Sequence, residues 1–187
     1  MIKNNILIKK NKISYILKNK TKNGTMKTVV FLCGYRSDKN GTKAEYIEKL
    51  RKEQGFEYLR FDYSGHGDSP GDIQNFYLSD WVNESKVLIE KKTNYPLILV
   101  GSSMGAWIAF YLSLIVKKKL LGIVGIASAV DFTSRLIKNL HSSEYEKYLD
   151  NKEIKIHSKY SKHPYVFKKK FIDKLKKYFL INKRIKI

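Results

Sequence analysis

Hydrophobic and polar residues follow one another along this chain in blocks whose period changes from strand-like to helix-like. Residues 4–8 and 13–18 alternate apolar and polar positions around a polar turn, which predicts an opening β-hairpin. A continuous apolar run rich in β-branched residues predicts a strand buried on both faces at 28–33, and further strands are predicted at 56–62, 96–101 and 120–127, of which 96–101 is expected to be buried. Helical spacing of apolar residues predicts helices between them, at 42–54, 78–92 and 103–116.

The order of these elements predicts the fold class. Strands and helices alternate from residue 28 to 127, and such alternation favours an α/β fold with a mostly parallel, doubly wound sheet. Beyond Asp131 the pattern changes to amphipathic helical segments at 132–150 and 164–180, rich in lysine and tyrosine. We therefore expect a single domain over 1–187, with a core at 1–131 and cap and tail helices at 132–187.

A short motif at the end of one predicted strand carries the clearest chemistry. Residues 101–105, Gly-Ser-Ser-Met-Gly, have the form G-x-S-x-G. The pentapeptide alone is a weak signal, but here it directly follows a buried strand and directly opens an apolar helix. That setting is typical of a nucleophile elbow, and it makes Ser103 the candidate nucleophile.

The residues around Ser103 fit the requirements of such an elbow. Side chains at positions 101 and 105 would collide with the neighbouring strand and helix, so Gly101 and Gly105 leave room for a sharp turn. An oxyanion hole needs two donors, and the first is expected to be the backbone N–H of Met104, the residue after the nucleophile. The second is expected in the loop after the 28–33 strand, where we select the backbone N–H of Tyr35.

Composition adds a strong positive charge to this picture. Lysine and arginine number 37 against 17 aspartates and glutamates, a formal net charge of +20. One interpretation is an anionic partner such as a membrane surface, and the other is a background of codon bias, because lysine is abundant throughout. No basic region is interleaved with stacking aromatics as in known nucleic-acid motifs, so we expect no specific nucleic-acid partner.

The single cysteine and the lengths of the apolar runs bear on compartment. Cys33 lies alone in an apolar run, so no intrachain disulfide can form. The longest apolar segment, 107–116, stops at three lysines and is well short of a transmembrane span. A soluble cytoplasmic protein without a transmembrane segment is the expectation.

Three blocks of the sequence together resemble the α/β-hydrolase superfamily. They are FLCGYRSD with GTKA (31–38 and 41–44), RFDYSGHGDS with Gly71 and Trp81 (60–69), and GSSMGAW (101–107). Within the superfamily they look like the branch of palmitoyl-protein thioesterases and acyl-glucuronide esterases. The resemblance implies a Ser–Asp–His triad, no metal or organic cofactor, and a small-molecule acyl ester or thioester substrate. Carried over by position, Ser103 is the nucleophile, and Tyr35 and Met104 supply the oxyanion hole.

One departure from that family concerns the acid and the base. In the family, two further strands follow the helical cap, and the loops after them carry an aspartate within His-Gly-x-x-Asp and a histidine within Gly-Asp-His. This sequence contains neither motif, so we expect a chain that is incomplete at its C-terminus, with the last two strands missing. We also expect it to be nearly inactive, and we expect partner binding or self-association at the exposed edge of the 120–127 strand.

Other residues were weighed as substitutes for the missing acid and base. His66 lies in a glycine-rich turn near the expected site and is interpreted as structural, with a catalytic role as the weaker alternative. Asp131 follows the last predicted core strand, where it either supplies the acid or, as the preferred interpretation, caps the next helix. Asp62 and Asp68 are expected to stabilise the 63–71 turn. The remaining histidines are expected on the surface: His141, His157 and His163.

Three function classes remain open at this point. The leading hypothesis is a serine hydrolase of carboxylic esters or thioesters that forms an acyl-enzyme through Ser103. The second is a non-catalytic binding protein with the hydrolase fold, which the missing acid and base favour. The third, which depends on net charge alone, is a basic module that binds a membrane surface or nucleic acid.

Overall fold

The computed structural model describes residues 4–157 and 164–185. Internal contacts divide the chain into two compact units. The first contains residues 1–130 together with 183–187, and the second contains residues 131–182.

The first unit is built on one six-stranded sheet. Its strands, in chain order, are β1 (Asn4–Ile8), β2 (Asn11–Lys18), β3 (Thr28–Leu32), β4 (Glu57–Phe61), β5 (Leu97–Ser102) and β6 (Leu120–Ile126). The spatial order is β1-β2-β4-β3-β5-β6; β1 and β2 pair antiparallel, β2 and β4 pair antiparallel, and all other pairs are parallel. The predicted mostly parallel sheet of an α/β fold is confirmed.

Three helices connect the parallel strands. They are α1 (Thr42–Gln54), α2 (Leu78–Lys92) and α3 (Met104–Leu112). Every residue of β3 and of β4 is buried; the continuous apolar run of β3 predicts this, whereas β4 also buries Glu57 and Arg60. Trp81 of α2 and Trp107 of α3 are the largest fully buried side chains and fill the layers between helices and sheet.

At its start, helix α3 approaches the sheet closely enough for backbone to contact backbone. A Cβ on Gly105 would lie 2.0 Å from the carbonyl oxygen of Leu32 on β3. A Cβ on Gly101 would lie 2.4 Å from the Cα of Ala106. Both distances are far below van der Waals contact, so glycine at these two positions is a steric requirement of the β5–α3 turn.

A buried ionic cluster fixes the turn at 63–71, which follows β4. The carboxylate of Asp62 accepts hydrogen bonds from the backbone N–H of Asp68 at 2.8 Å and from that of Lys39 at 2.6 Å. The Lys39 ammonium is fully buried and lies 2.6 Å from both Asp62 and Asp68. The expectation that Asp62 and Asp68 stabilise this turn is confirmed, and Lys39 links it to the loop after β3.

Glu84 on α2 holds the start of the same turn. Its carboxylate is buried and accepts from the backbone N–H of Ser64 at 3.0 Å, from the Ser64 hydroxyl, and from Asn11 Nδ2 at 3.1 Å. Burial raises the pKa of Glu84, and the hydrogen bonds from Ser64 and Asn11 lower it. Because all three donors are neutral, the effect of burial is the larger one and the pKa is raised.

Strand β6 forms one edge of the sheet. Within the described part of the chain it pairs only with β5, along Leu97–Ser102. Leu121 and Val124 of β6 are 46% and 49% exposed, although both are aliphatic. Apolar side chains beside unpaired backbone groups are the features of an edge that can accept another strand.

The second unit differs from the sequence prediction. It contains α4 (Phe132–Lys138), α5 (Ser142–Asn151), a hairpin of β7 (Glu153–Ile156) with β8 (Tyr165–Lys168), and α6 (Lys169–Leu175) followed by a 3-10 turn (Lys176–Tyr178). The predicted helical character of 132–150 is confirmed, with an interruption at 139–141 that separates α4 from α5. The prediction of helix from 164 onward is wrong for β8, since a four-residue strand gives too short a pattern to separate from a helix. The described residues include no helix long and apolar enough to cross a membrane.

The backbone contact at Gly105 generates a stability prediction. Gly105→Ala should lower the free energy of unfolding by about 1–3 kcal/mol or more, because the methyl group cannot be accommodated without moving β3 away from α3. Urea denaturation of the purified variant measures the change. Gly122→Ala on β6 is the matched control, since a Cβ there has nothing within 4 Å. Equal stability of the two variants would contradict the packing described.

The burial of Glu84 generates a prediction about pH. The folded-state pKa of Glu84 lies above the value of 4.5 in the unfolded chain. Glu84 therefore lowers the free energy of unfolding as pH rises from 4.5 through the raised pKa. Glu84→Gln lacks this loss, so its unfolding free energy relative to wild type should increase with pH across that window. Parallel denaturation series test this, with Glu53→Gln on the exposed side of α1 as control. A pH-independent difference for Glu84→Gln would overturn the assignment.

Candidate active site

Ser103 occupies the single residue between β5 and α3. Its backbone has φ 54° and ψ −116°, a region that L-residues rarely adopt. The Ser103 N–H donates to Ile126 O at 2.9 Å, and its carbonyl accepts from Ala106 N at 3.1 Å and from Ala129 N at 3.2 Å. The turn is therefore tied to the end of β6 and to the first turn of α3, and these contacts hold the strained backbone in place.

The loop after β3 lies directly beside Ser103. A Cβ built on Gly34 would be 3.4 Å from the Cβ of Ser103 and 3.3 Å from the carbonyl oxygen of Ser102. The carbonyl of Gly34 accepts from Ser37 N at 3.1 Å, which closes a turn around Tyr35 and Arg36. Arg36 has a φ of 57°, so this turn carries its own left-handed residue.

Met104 begins α3 and is buried. Its amide belongs to the first turn of the helix, where backbone N–H groups have no acceptor within the helix and the helix dipole favours negative charge. The structure thus brings together Ser103, the loop that contains Tyr35, and a helix start at Met104.

The side chain of Tyr35 points into contacts that hold its loop. Its hydroxyl accepts from Gln74 Nε2 at 3.2 Å, and its ring packs 6.1 Å from that of His66 and 6.0 Å from that of Trp81. Burial raises the pKa of Tyr35, which therefore stays protonated at neutral pH. Through its side chain this residue holds the loop after β3 against Gln74 and the aromatic cluster.

His66 lies in the same aromatic cluster. Only 3% of its surface is exposed, its Nδ1 lies 3.2 Å from Ser64 O, and its ring meets that of Trp81 edge to face at 5.1 Å. Burial lowers the pKa of His66, against a smaller opposite effect of Ser64. Its Nε2 makes no hydrogen bond within the described residues. The geometry fits the structural interpretation of His66.

Asp131 is the first residue of the second unit. Its side chain does not have the helix-capping role that the sequence favoured. Its side chain makes no capping hydrogen bond to α4, so the helix-cap interpretation is wrong. Its buried carboxylate instead accepts from Leu180 N at 2.9 and 3.1 Å and from Ile181 N at 2.9 Å. A carboxylate has only about four lone-pair sites, and these amides occupy most of them.

The remaining histidines are distributed over the second unit. His141 caps α5 in a reciprocal arrangement with Glu144, and His157 is exposed just after β7. His163 lies outside the described residues. Among the described residues, no group of three or more histidine, cysteine, aspartate or glutamate side chains could hold a metal ion.

One residue near the site was missed by sequence analysis. Lys39 is fully buried and its pKa is raised: burial lowers the pKa, and the hydrogen bonds that the ammonium donates to Asp62 and Asp68 more than offset this. The sequence shows a lysine in the polar loop after β3 and two aspartates at the glycine-rich 63–71 turn. Nothing in the linear order showed that the three side chains meet.

Comparison with known proteins places this geometry in context. Over 103 residues the chain is 41% identical to the palmitoyl-protein thioesterase ABHD10, mitochondrial, of Bos taurus, a match that covers 55% of this chain and 34% of the relative. Over 140 residues it is 35% identical to the same enzyme of Rattus norvegicus, covering 73% of this chain and 46% of the relative. The chain thus spans less than half the length of the curated relatives it matches.

These relatives correct the expected location. The prediction of a cytoplasmic protein is wrong by this comparison, because the similar thioesterases of cattle, rat, mouse and human are all named as mitochondrial. A single buried cysteine and short apolar runs do not distinguish one reducing compartment from another, which is why composition misled the assignment.

Solved structures agree on the fold. A crystal structure of a protein from Agrobacterium vitis S4 superposes with a TM-score of 0.88 at 31% identity, covering 98% of this chain and 74% of that one. The mouse α/β hydrolase domain-containing protein 10 superposes with a TM-score of 0.87 at 24% identity, covering 99% and 73%. A family profile described as serine aminopeptidase, S33 (Hydrolase_4) matches residues 24–186. The chain therefore belongs to this family of α/β hydrolases.

Proposed function

We propose that this chain is a serine hydrolase of carboxylic esters or thioesters, with Ser103 as its nucleophile. The observation that carries the proposal is the backbone of Ser103, held at φ 54° between the end of a central strand and the start of α3. A conformation that costs about 1–3 kcal/mol persists only where surrounding contacts impose it, and such strain is concentrated at functional sites.

The proposed reaction proceeds through an acyl-enzyme. The Oγ of Ser103 attacks the carbonyl carbon of the substrate, the bond to the alcohol or thiol leaving group breaks, and the serine proton passes to solvent or to a base. Water then attacks the acyl group and releases the carboxylic acid. No metal or organic cofactor takes part in these steps.

The oxyanion of each tetrahedral intermediate is proposed to accept hydrogen bonds from the backbone N–H groups of Tyr35 and Met104. The proximity of Gly34 to Ser103 and the start of α3 at Met104 support this arrangement. Each donor of this kind is worth about 3 kcal/mol in the transition state. Because both donors are backbone groups, side-chain substitution at these positions should not remove them.

The names of the relatives support the proposed substrate class. The curated relatives are named palmitoyl-protein thioesterases, which cleave a long-chain acyl group from a thiol. We propose an acyl ester or thioester as substrate, with the leaving group left open. The alternative is a binding protein that keeps the hydrolase fold without turnover.

We propose that the chain as given turns over slowly. Within the described residues, no histidine is hydrogen-bonded to Ser103, and His66 faces Ser64 and Trp81 instead. A serine without a base loses about 10⁶-fold in kcat, and about 10³–10⁴-fold over water remains from the oxyanion hole and from binding.

Acylation by an activated ester tests the proposal. Incubation with p-nitrophenyl butyrate should add one butyryl group per chain, because a good leaving group makes acylation easier than the later attack by water. Intact-mass spectrometry detects the adduct, and peptide mapping should place it on Ser103. Continuous release of p-nitrophenolate should remain slow after the first equivalent.

Two variants make this result specific. Ser103→Ala should abolish the adduct, whereas Ser102→Ala, the neighbouring serine at the end of β5, should retain it. An adduct that persists in Ser103→Ala, or a wild-type chain that never acquires one, would favour the binding protein over the hydrolase.

We also propose self-association through the edge of β6, supported by the exposure of Leu121 and Val124. Val124→Lys places a charge on this edge and should shift the chain toward the monomer in light scattering coupled to size-exclusion chromatography. Leu7→Lys is the control, because Leu7 is 68% exposed on β1 at the opposite edge of the sheet. This substitution should leave the distribution between monomer and oligomer unchanged. A wild-type chain that stays monomeric at all concentrations would refute the proposal.

A further inference from the structure

The second unit contains a cleft that is lined mainly by lysine. It measures about 660 Å³ and lies where α5 ends, β8 ends and α6 begins. Its lining includes two carboxylates, Glu153 and Asp173, and six lysines: Lys152, Lys168, Lys169, Lys170, Lys174 and Lys177. Six positive charges against two negative charges leave the lining with a formal charge of +4.

The fold brings these lysines together from separate elements. Lys152 ends α5, and its carbonyl accepts from the backbone N–H of Lys169 at 2.6 Å, which joins α5 to the start of α6. Lys168 is paired with Glu153 across the β7–β8 hairpin. Lys170, Lys174 and Lys177 recur at intervals of four and three residues, so they form one stripe along α6 and the turn that follows it.

The two carboxylates of the cleft are already engaged. Asp173 lies 2.8 Å from Lys176 and 3.9 Å from Lys169, and Lys176 lowers the pKa of Asp173. Glu153 lies 3.5 Å from Lys155, which is outside the cleft. The lining as a whole keeps a formal charge of +4, because two carboxylates stand against six lysines, and this net positive charge favours an anionic partner.

A second cleft of about 360 Å³ adjoins the first and is mainly apolar. Lys169 and Asp173 line both clefts, so they form the boundary between them. The apolar cleft is lined by Tyr145 and Leu149, which lie one helical turn apart on α5 and are 42% and 44% exposed, and by Ile172 of α6. A lysine-rich surface beside exposed aromatic and aliphatic side chains has the two parts of an amphiphile-binding surface.

We propose that this face of the second unit binds an anionic lipid membrane surface. The lysine cleft attracts the anionic headgroups, while Tyr145 and Leu149 insert at the boundary between headgroups and acyl chains. The inference stands apart from the proposed hydrolase reaction, since it uses no residue of the candidate active site. A membrane-bound chain would nevertheless meet acyl substrates where they are concentrated.

The chemistry of the cleft favours a membrane over other anions. A site for one phosphate group typically presents arginine in bidentate geometry, whereas all the cations that line this cleft are lysines, which act as mobile point charges. Single-stranded nucleic acid is held by stacking on aromatic side chains, and none lines the lysine cleft. Diffuse attraction to a charged surface needs neither feature, and it gains about fivefold in affinity per lysine.

Vesicle co-sedimentation of the full chain tests the proposal. The wild-type chain should bind phosphatidylcholine vesicles that contain phosphatidylserine, and binding should fall steeply with salt and be weak for phosphatidylcholine alone. The triple variant Lys170→Gln, Lys174→Gln, Lys177→Gln should bind about 100-fold more weakly. Leu149→Ser should weaken binding roughly tenfold at constant charge, because less apolar surface is buried.

The matched control removes the same charge from the first unit. Lys43, Lys49 and Lys52 are exposed on α1, and their triple substitution by Gln should change vesicle binding less than threefold. Equal losses in the two triple variants would overturn the proposal in favour of diffuse attraction by net charge. Binding that is insensitive to phosphatidylserine would also overturn the proposal. So would a Leu149→Ser variant that binds vesicles as well as the wild type does, together with a loss of duplex DNA binding by the triple variant at Lys170, Lys174 and Lys177.

Discussion

The candidate active site depends on the close approach of two backbones at the β5–α3 turn. Gly105 lies against the carbonyl of Leu32 with no room for a Cβ, and Gly101 lies equally close to Ala106. This approach forces the chain to reverse direction within one residue, and Ser103 takes up the strain with a positive φ. The reversal in turn places the serine side chain, the start of α3 and the loop after β3 at the same end of the sheet.

Around this turn, buried polar groups hold loops that would otherwise be mobile. Lys39 joins the loop after β3 to the 63–71 turn through Asp62, and Glu84 ties that turn to α2. A buried charge that loses its partner costs about 3–5 kcal/mol, so these loops cannot separate cheaply. The rings of Tyr35, Tyr63, His66 and Trp81 pack within the same region and leave His66 in an apolar setting where its neutral form is favoured.

The sequence predicted the sheet and the sharp β5–α3 turn well because both have strong local signals. The buried strands β3 and β5 are runs of mainly apolar residues, and the glycines at 101 and 105 flank the residues of one turn. The second unit gave weaker signals: β7 and β8 have only four residues each, and they pair although they are not adjacent in the sequence. The role of Asp131 also escaped prediction, because its partners, the amides of Leu180 and Ile181, are about 50 residues away.

The central claim is that Ser103 attacks an acyl carbon whose oxygen is then held by two backbone amides. A crystal structure of the chain after reaction with an alkyl phosphonate p-nitrophenyl ester, which mimics the tetrahedral intermediate, tests it directly. The account predicts phosphorus bonded to the Oγ of Ser103, with the phosphonyl oxygen about 3 Å from the backbone nitrogens of Tyr35 and Met104. Phosphorus bonded to another residue, or a phosphonyl oxygen that faces solvent away from both amides, would contradict it.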